Sequence, residues 1–384
     1  MSKILVDQIR SNSASSDAIT LDGSGNVTVP GNITLSGNAT LSGTATGFPQ
    51  PKGRNLIING AMQVAQRGTS STSSGYRTVD RFSTGFDSGL TEAPTLSQAT
   101  LSSSDTPYTL GFRHAFRITN GNQTSQDAND YIHLSTSIES QDVAKSGWNY
   151  TSASSYITLS FWVKVSTAQT MYVKVGDSDA NRTYTFSFSA TTSWTKITKT
   201  IPGNSNLVFN NDNGVGIQLV WVPFYGSNYT TSSHTNDSWD TNSDGSDQLP
   251  DMANTWFSAN DATFDITGVK LEVGSSATDF EHLSFTDDLR KCHRYFQELH
   301  IYTYVGTSTN VLFIESFNFH GGEMRATPSI TGSRGATGEN KFEGGGGDYG
   351  CTLYHANNEY IAIYGGGGSV NNYVRGSFDC DAEL

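Results

Sequence analysis

Charge is scarce in this chain: only 15% of its 384 residues are Asp, Glu, Lys or Arg, and 23 of them are basic. No basic stretch is dense enough to track a phosphate backbone, and the net charge of −13 argues against nucleic acid and anionic membranes as partners. Cysteine is nearly absent. Cys292, Cys351 and Cys380 make no disulfide framework and read as free, partly buried thiols, with a Cys351–Cys380 bridge as the alternative. Long apolar runs are missing too. No window reaches transmembrane length, and residues 1–10 hold three apolar residues in a row before Asp7, short of a secretory core.

What is present is strand and turn chemistry. The 39 glycines and long Ser/Thr/Asn tracts predict a mostly β protein, and 35% hydrophobic content with 11% aromatics can fill two or three cores. Four six-residue units follow one another: Gly25-Asn26-Val27-Thr28-Val29-Pro30, Gly31-Asn32-Ile33-Thr34-Leu35-Ser36, Gly37-Asn38-Ala39-Thr40-Leu41-Ser42 and Gly43-Thr44-Ala45-Thr46-Gly47-Phe48. In each, apolar residues alternate with polar ones and Gly opens a turn, so every short strand has one oily side. A single ribbon cannot bury that side, whereas three copies around an axis can, which predicts a triple-stranded β stalk over residues 25–52 in a homotrimer. A flexible linker is the other reading. Residues 1–24, with a short alternation over 4–9, read as an attachment segment ordered by a partner. Phe48-Pro49-Gln50-Pro51 ends the stalk.

Residues 53–283 keep a strand-and-turn rhythm that predicts a central antiparallel β-sandwich, a jelly roll. In the run 156–165, Ile157, Leu159, Phe161, Val163 and Val165 form an oily face, while Tyr156, Thr158, Ser160, Trp162 and Lys164 form a wetter one. Further strands are expected over 55–59, 112–118, 170–175, 182–188, 195–200, 216–222 and 262–273. Gly268 marks a bulge or a close backbone approach. One short helix is expected from Asp287 to about Leu299 within 284–299, with Thr286 as its cap and Leu289, Cys292, Phe296 and Leu299 on one side. It would sit on the trimer axis or pack on the sandwich. Residues 300–384, with glycine runs at 344–347 and 365–368, predict a C-terminal β tip domain.

Several segments carry a family resemblance. These are Asn55-Leu56-Ile57-Ile58-Asn59-Gly60-Ala61-Met62-Gln63-Val64-Ala65-Gln66-Arg67-Gly68, then Asp80-Arg81-Phe82, then Ile266-Thr267-Gly268-Val269-Lys270-Leu271-Glu272-Val273-Gly274, Ala277-Thr278-Asp279-Phe280-Glu281 and Cys292-His293-Arg294-Tyr295-Phe296. In this order they resemble the carbohydrate-binding-module-like domain of tailed-bacteriophage tail fibres, over residues 53–300. Ser2-Lys3-Ile4-Leu5-Val6-Asp7-Gln8-Ile9-Arg10 resembles the start of fibres from phages of marine bacteria and cyanobacteria. Residues 300–384 match least, apart from Asp381-Ala382-Glu383-Leu384. The resemblance implies a trimeric virion fibre that touches the host surface. It fits a chain of extracellular composition without an export signal, made in the host cytoplasm and joined to another virion protein through its N-terminal segment.

Sugar recognition without catalysis needs exposed rings to stack on apolar sugar faces, with amides and carboxylates beside them. Two regions offer both. One holds Tyr225, Tyr229, Trp239 and Trp256 in an Asn/Asp/Ser-rich stretch. The other holds Tyr349, Tyr354, Tyr360, Tyr364 and Tyr373 around the glycine runs. Both are expected carbohydrate-binding surfaces for host glycan, and burial in a core or interface is the competing reading. Asp240, Asn242, Asp244 and Asp247, with Asp251 at the twelfth position, repeat the oxygen spacing of a calcium loop, although flanking helices and the final Glu are missing. A solvated acidic loop is the plainer reading. No nucleophile elbow, phosphate loop or His metal signature occurs, so the chain is expected not to be an enzyme. A polysaccharide depolymerase would need paired acids such as Glu315 and Glu323, and a fibre or decoration protein that binds no receptor is the other alternative.

Overall fold

A computed structural model describes residues 8–9, 19–21, 27–29, 55–241, 248–306, 313–334, 341–344, 347–365 and 371–384. The chain divides into two compact units, Met1–Gln50 and Pro51–Leu384. In the first, β1 (Gln8–Ile9), β2 (Ile19–Leu21) and β3 (Val27–Thr28) form an antiparallel three-stranded sheet. Gln8 pairs with Thr20, and Thr20 with Thr28. Val27, from the first six-residue unit, is 60% exposed. The other three units lie outside the described residues.

The second unit is built on an antiparallel β-sandwich, as the alternation predicts. Its chain runs through β4 (Ser70–Ser71), β5 (Ser83–Phe86), β6 (Thr95–Thr100), helix α1 (Thr106–Thr109), β7 (His114–Thr119), β8 (Tyr131–Glu139) and helix α2 (Ser140–Ala144). It continues through β9 (Tyr156–Val165), β10 (Gln169–Asp177), β11 (Arg182–Ala190), β12 (Thr195–Pro202), β13 (Val215–Tyr225), β14 (Trp239–Thr241) and β15 (Thr263–Val273). Two six-stranded sheets result, in the orders β14-β11-β10-β13-β8-β5 and β12-β9-β15-β7-β6-β4. Ile157, Leu159, Phe161, Val163 and Val165 all point into the core between them, where Val173, Phe186 and Trp221 of the facing sheet meet them. Each such side chain contributes roughly 1.5–3 kcal/mol by leaving water. The opposite face of β9 is drier than its composition suggests, since loops cover Thr158 and Ser160 while Trp162 stays half-buried.

Residues 55–59 form a turn instead of the expected strand, because two asparagine side chains take over the pairing. The Asn55 amide donates to Val269 O at 3.0 Å and accepts from Leu271 N at 3.0 Å, bonding the segment to β15 through a side chain. Gly60 lies so close to β15 that a Cβ would fall 2.1 Å from Val269 O. Gly268 is the bulge the sequence suggests: register shifts between Thr267 and Lys270, and its φ is +63°. A Cβ there would meet Phe112 Cζ at 2.8 Å and Trp162 Cδ1 at 3.2 Å. Gly268→Ala is therefore expected to cost about 2–3 kcal/mol, the left-handed backbone and the crowded rings both contributing. Urea unfolding measures it, and a loss below about 0.5 kcal/mol would show that the rings yield freely.

The helix corrects the sequence reading at both ends. Helix α3 spans Phe285–Cys292, its cap is Ser284, whose Oγ accepts from Asp287 N at 3.1 Å, and it stops after two turns. Asp287 and Asp288 sit in its first turn and Arg290 and Lys291 in its last, each sign matched to the helix dipole. Phe296 and Leu299, which continue the helical spacing, instead belong to strand β16 (Phe296–Gly306) and are 3% and 1% exposed there. A few apolar residues at 3–4–3 spacing cannot separate a helix end from a buried strand.

Strand β16 opens a seven-stranded sheet with β17 (Phe313–Asn318), β18 (Ser329–Arg334), β19 (Lys341–Gly344), β20 (Gly347–Ala356), β21 (Tyr360–Gly365) and β22 (Asn371–Asp381). Charged groups fasten it to the sandwich. Arg67 pairs with Asp381 at 2.9 Å and Glu383 at 3.3 Å, and the buried Arg81 pairs with Glu383 and donates to Ser137 O at 2.7 Å. Glu139 receives Arg294 through two bonds of 2.7 and 2.8 Å and the Tyr295 hydroxyl at 2.6 Å. Cys292 and Cys380 are buried free thiols.

Candidate functional site

The structure disperses the first set of expected sugar-binding residues. Tyr225, at the end of β13, and Tyr229 join Tyr131 and Tyr172 in an aromatic cluster on the outer face of the first sheet. The Tyr131 and Tyr229 rings meet edge to face at 5.7 Å and remain half-buried. The Tyr225 hydroxyl bonds His133 Nδ1 at 3.1 Å, and burial with the nearby Lys174 ammonium pushes the His133 pKa down to about 4, so its ring is neutral near pH 7. Burial also pushes Lys174 down to about 8, and its ammonium donates to Gln248 at 2.6 Å.

Trp239 lies at the far edge of that sheet, beside Tyr184, with its indole N–H on Pro202 O at 2.7 Å. Trp256 corrects the expectation. It is fully buried, donates to Thr263 O at 3.0 Å, and belongs to the core, so its ring has no face to offer a sugar. A large ring in a polar loop removes so much apolar area from water by turning inward that burial wins over display.

Tyr349 and Tyr354 lie on β20, Tyr360 and Tyr364 on β21 and Tyr373 on β22. Tyr360 is half-buried, 5.6 Å from the His355 ring. Of the calcium-like series, Asn242, Asp244 and Asp247 lie outside the described residues. Asp240 ends in β14, where its carboxylate accepts from Thr241 N at 2.7 Å, and Asp251 accepts from the Thr230 hydroxyl at 3.1 Å. Among the described residues, no three His, Cys, Asp or Glu side chains are grouped to hold a metal. Glu323 accepts from the Asn358 amide, and Glu315 lies on β17.

An aromatic groove lies on the other sheet, away from the residues the sequence singles out for sugar binding. A cavity of about 310 Å³ is lined by Phe112, Trp162, Phe280 and His282, with Ser160, Lys196, Thr278 and Asp279 among its polar groups. Trp162 stands on β9 between Lys196 of β12 and Thr267 of β15. Phe112, Phe280 and His282 form a triangle of rings with centres 4.9, 4.7 and 5.1 Å apart. The bulge at Gly268 leaves out the Cβ that would collide with Phe112 and Trp162, so the backbone irregularity makes room for the rings.

A buried pair holds the groove's outer wall. Lys270 and Glu272, 1% and 2% exposed, lie 3.3 Å apart. Lys270 donates to Thr278 Oγ1 at 2.5 Å and Asp279 O at 2.8 Å, while Glu272 accepts from the Thr278 N–H and hydroxyl, each at 2.7 Å. The two motif segments around 266–274 and 277–281 are thereby one device: the first pins the second, and Phe280 is positioned as a result. The available signal was Trp162 itself, a tryptophan on the wetter face of a confidently patterned strand.

No protein-family description matches the chain, and no curated protein matches it. Among solved structures, the chain is similar to the enzymatically active domain of tailspike protein 4 of bacteriophage CBA120, at 9% identity and a TM-score of 0.31, covering 58% of this chain and 22% of that one. It is also similar to TmCBM61 in complex with β-1,4-galactotriose, at 10% identity and a TM-score of 0.27, covering 58% of this chain and 100% of that one. A third is the family 11 carbohydrate-binding module of a cellulosomal cellulase of Clostridium thermocellum, at 12% identity and a TM-score of 0.27, covering 54% and 96%. The chain thus spans about a fifth of the tailspike domain it matches.

Proposed function

We propose that the second unit is a non-catalytic glycan-binding module and that the Trp162 groove is its sugar platform. The observation that carries this reading is a half-buried indole set in a walled groove, with rings on one side and an ammonium, a carboxylate and hydroxyls around it. An apolar sugar face stacks on such a ring while the polar groups take its hydroxyls. Trp162→Ala is expected to weaken binding to host-cell glycan about tenfold, as the loss of a central aromatic anchor does, while the chain stays folded at the assay temperature despite some loss of packing against Phe112. Titration of the purified chain against host cells and a panel of neutral oligosaccharides measures it. Unchanged affinity in Trp162→Ala, with loss in Tyr229→Ala, would move the site to the tyrosine cluster.

In this reading the chain is a tail-fibre protein of a tailed phage of marine or cyanobacterial hosts, located in the virion. The six-residue units would draw three copies together, the exposed Val27 side chain finding cover there, and threefold display would turn weak single sites into avidity. Residues 1–24 would join another virion protein. Light scattering on the full chain should give three times its 41.4 kDa mass. A monomer that labels no host cell would favour a purely structural fibre, and shortening of polysaccharide on incubation would favour a depolymerase. Calcium enters this reading only if a chelator abolishes binding.

A further inference from the structure

A second cleft, on the α3 side of the sandwich, is separate from the Trp162 groove. About 900 Å³ of space opens between α2, α3 and the segment around Gly321–Arg325, with Arg290, Lys291, Arg294 and Arg325 on its walls against Asp142 and Glu323. That excess of cations stands out in a chain of net charge −13. Their roles differ. Arg294 is neutralised by Glu139. Arg325 is held rigidly, its Nε on Ala382 O at 2.8 Å, Nη1 on Asn213 O at 2.7 Å and Nη2 on Glu383 O at 3.0 Å. These acceptors are neutral carbonyls, so they fix the guanidinium without cancelling its charge. Arg290 and Lys291 stand exposed in the last turn of α3, and among the described residues neither they nor Arg325 enters an ion pair.

A cation fixed by neutral carbonyls, flanked by two exposed ones of which Lys291 also feels the Asp288 carboxylate, is a preorganised receptor for an anion. The cleft is far larger than a single ion needs and reaches the upper end of the range for small-ligand sites. Gln141, Asn213 and Asn358 on its wall already donate to Glu139, Arg325 O and Glu323, so it is their amide oxygens that suit sugar hydroxyls. We propose that this cleft binds a carboxylate-bearing sugar, a uronate unit of an acidic glycan, with Arg290 and Lys291 meeting the carboxylate inside the field of Arg325. The sugar part of this assignment rests on the glycan-binding reading of the chain, while the anion part stands on the cleft alone.

The test is calorimetric titration of the full chain with oligogalacturonate, with its methyl ester, and with inorganic phosphate. The acidic oligomer is expected to bind, the ester at least tenfold more weakly, and binding is expected to fall as salt rises. The double substitution Arg290→Glu with Lys291→Glu should lower affinity for the acidic oligomer tenfold or more. Both side chains are exposed, so its melting temperature should fall only by the small amount that reversed charges cost at a helix C-terminus. Trp162→Ala should leave this titration unchanged, which separates failure of the groove from failure of the cleft. Equal binding of acid and ester, full affinity in the double variant, or no binding of the acid would each overturn the proposal. Phosphate binding as tight as oligogalacturonate would reduce the site to a simple anion site and overturn its sugar part.

Discussion

Replacing Glu383 by glutamine is expected to lower the stability of the second unit by about 3–5 kcal/mol, the loss that follows when one partner of a buried ion pair is removed. The Arg81 and Glu383 side chains are 2% and 5% exposed. Arg81 has a φ of +72°, donates to Ser137 O, and has its guanidinium 3.4 Å from the centre of the Tyr295 ring. With the carboxylate gone, that cation stays buried with one carbonyl and a ring. Arg67, 3.7 Å from the centre of the Phe296 ring, would lose a partner too but would keep Asp381. The double variant Arg81→Met with Glu383→Leu should lose much less than either single change, because an apolar pair carries no desolvation penalty. Urea unfolding followed by near-ultraviolet circular dichroism measures all four variants. A loss under about 1 kcal/mol for Glu383→Gln would mean that water reaches the pair.

Asn59→Ala is the second large effect, again about 3–5 kcal/mol, through a side chain that replaces backbone pairing. Asn59 is fully buried with a φ of +58°. Its amide donates to Val64 O and Asp80 O, both at 2.9 Å, and its oxygen accepts from Gln63 N at 2.9 Å and Val64 N at 3.0 Å. Alanine leaves those backbone groups without the bonds and keeps the unfavourable left-handed backbone. Asn59→Gly should recover about 1 kcal/mol of the loss, the share owed to conformation. Identical losses for the two variants would show that the backbone relaxes out of the left-handed region. Asp80, next to Arg81, is raised to about 6 by burial, which Gln66 only partly offsets. The turn therefore brings an asparagine, a carboxylate and a guanidinium into one dry space.

Both predictions fall on residues that the sequence marks by motif yet does not explain. Asn55 and Asn59 read there as part of an expected strand, and only the fold shows the Asn55 amide paired with β15 across 216 positions. Asp80-Arg81-Phe82 and Asp381-Ala382-Glu383-Leu384 are separate strings until the tertiary structure closes the Arg81–Glu383 pair. The groove has the same origin: Trp162, Phe112 and Phe280 come from three distant segments. Of the expected rings, Tyr225 and Tyr229 do share one cluster, while Trp256 turned inward and Trp239 went to the sheet's edge.

Local patterning alone determined a good deal. Strand β9 begins and ends where its alternation does, with the predicted face inward, and the bulge at Gly268 was legible from one glycine in a β-branched run. The mostly β, sandwich-forming class followed from composition and period, because which face of a strand is oily is written in consecutive residues. The tertiary structure decided the rest. It ended α3 at Cys292 by drawing Phe296 into a strand, buried Arg81 against Glu383, and assembled the groove and the cleft from residues that no local rule connects. Burial, pairing and desolvation are properties of what finally surrounds a side chain, and those surroundings come from far along the chain.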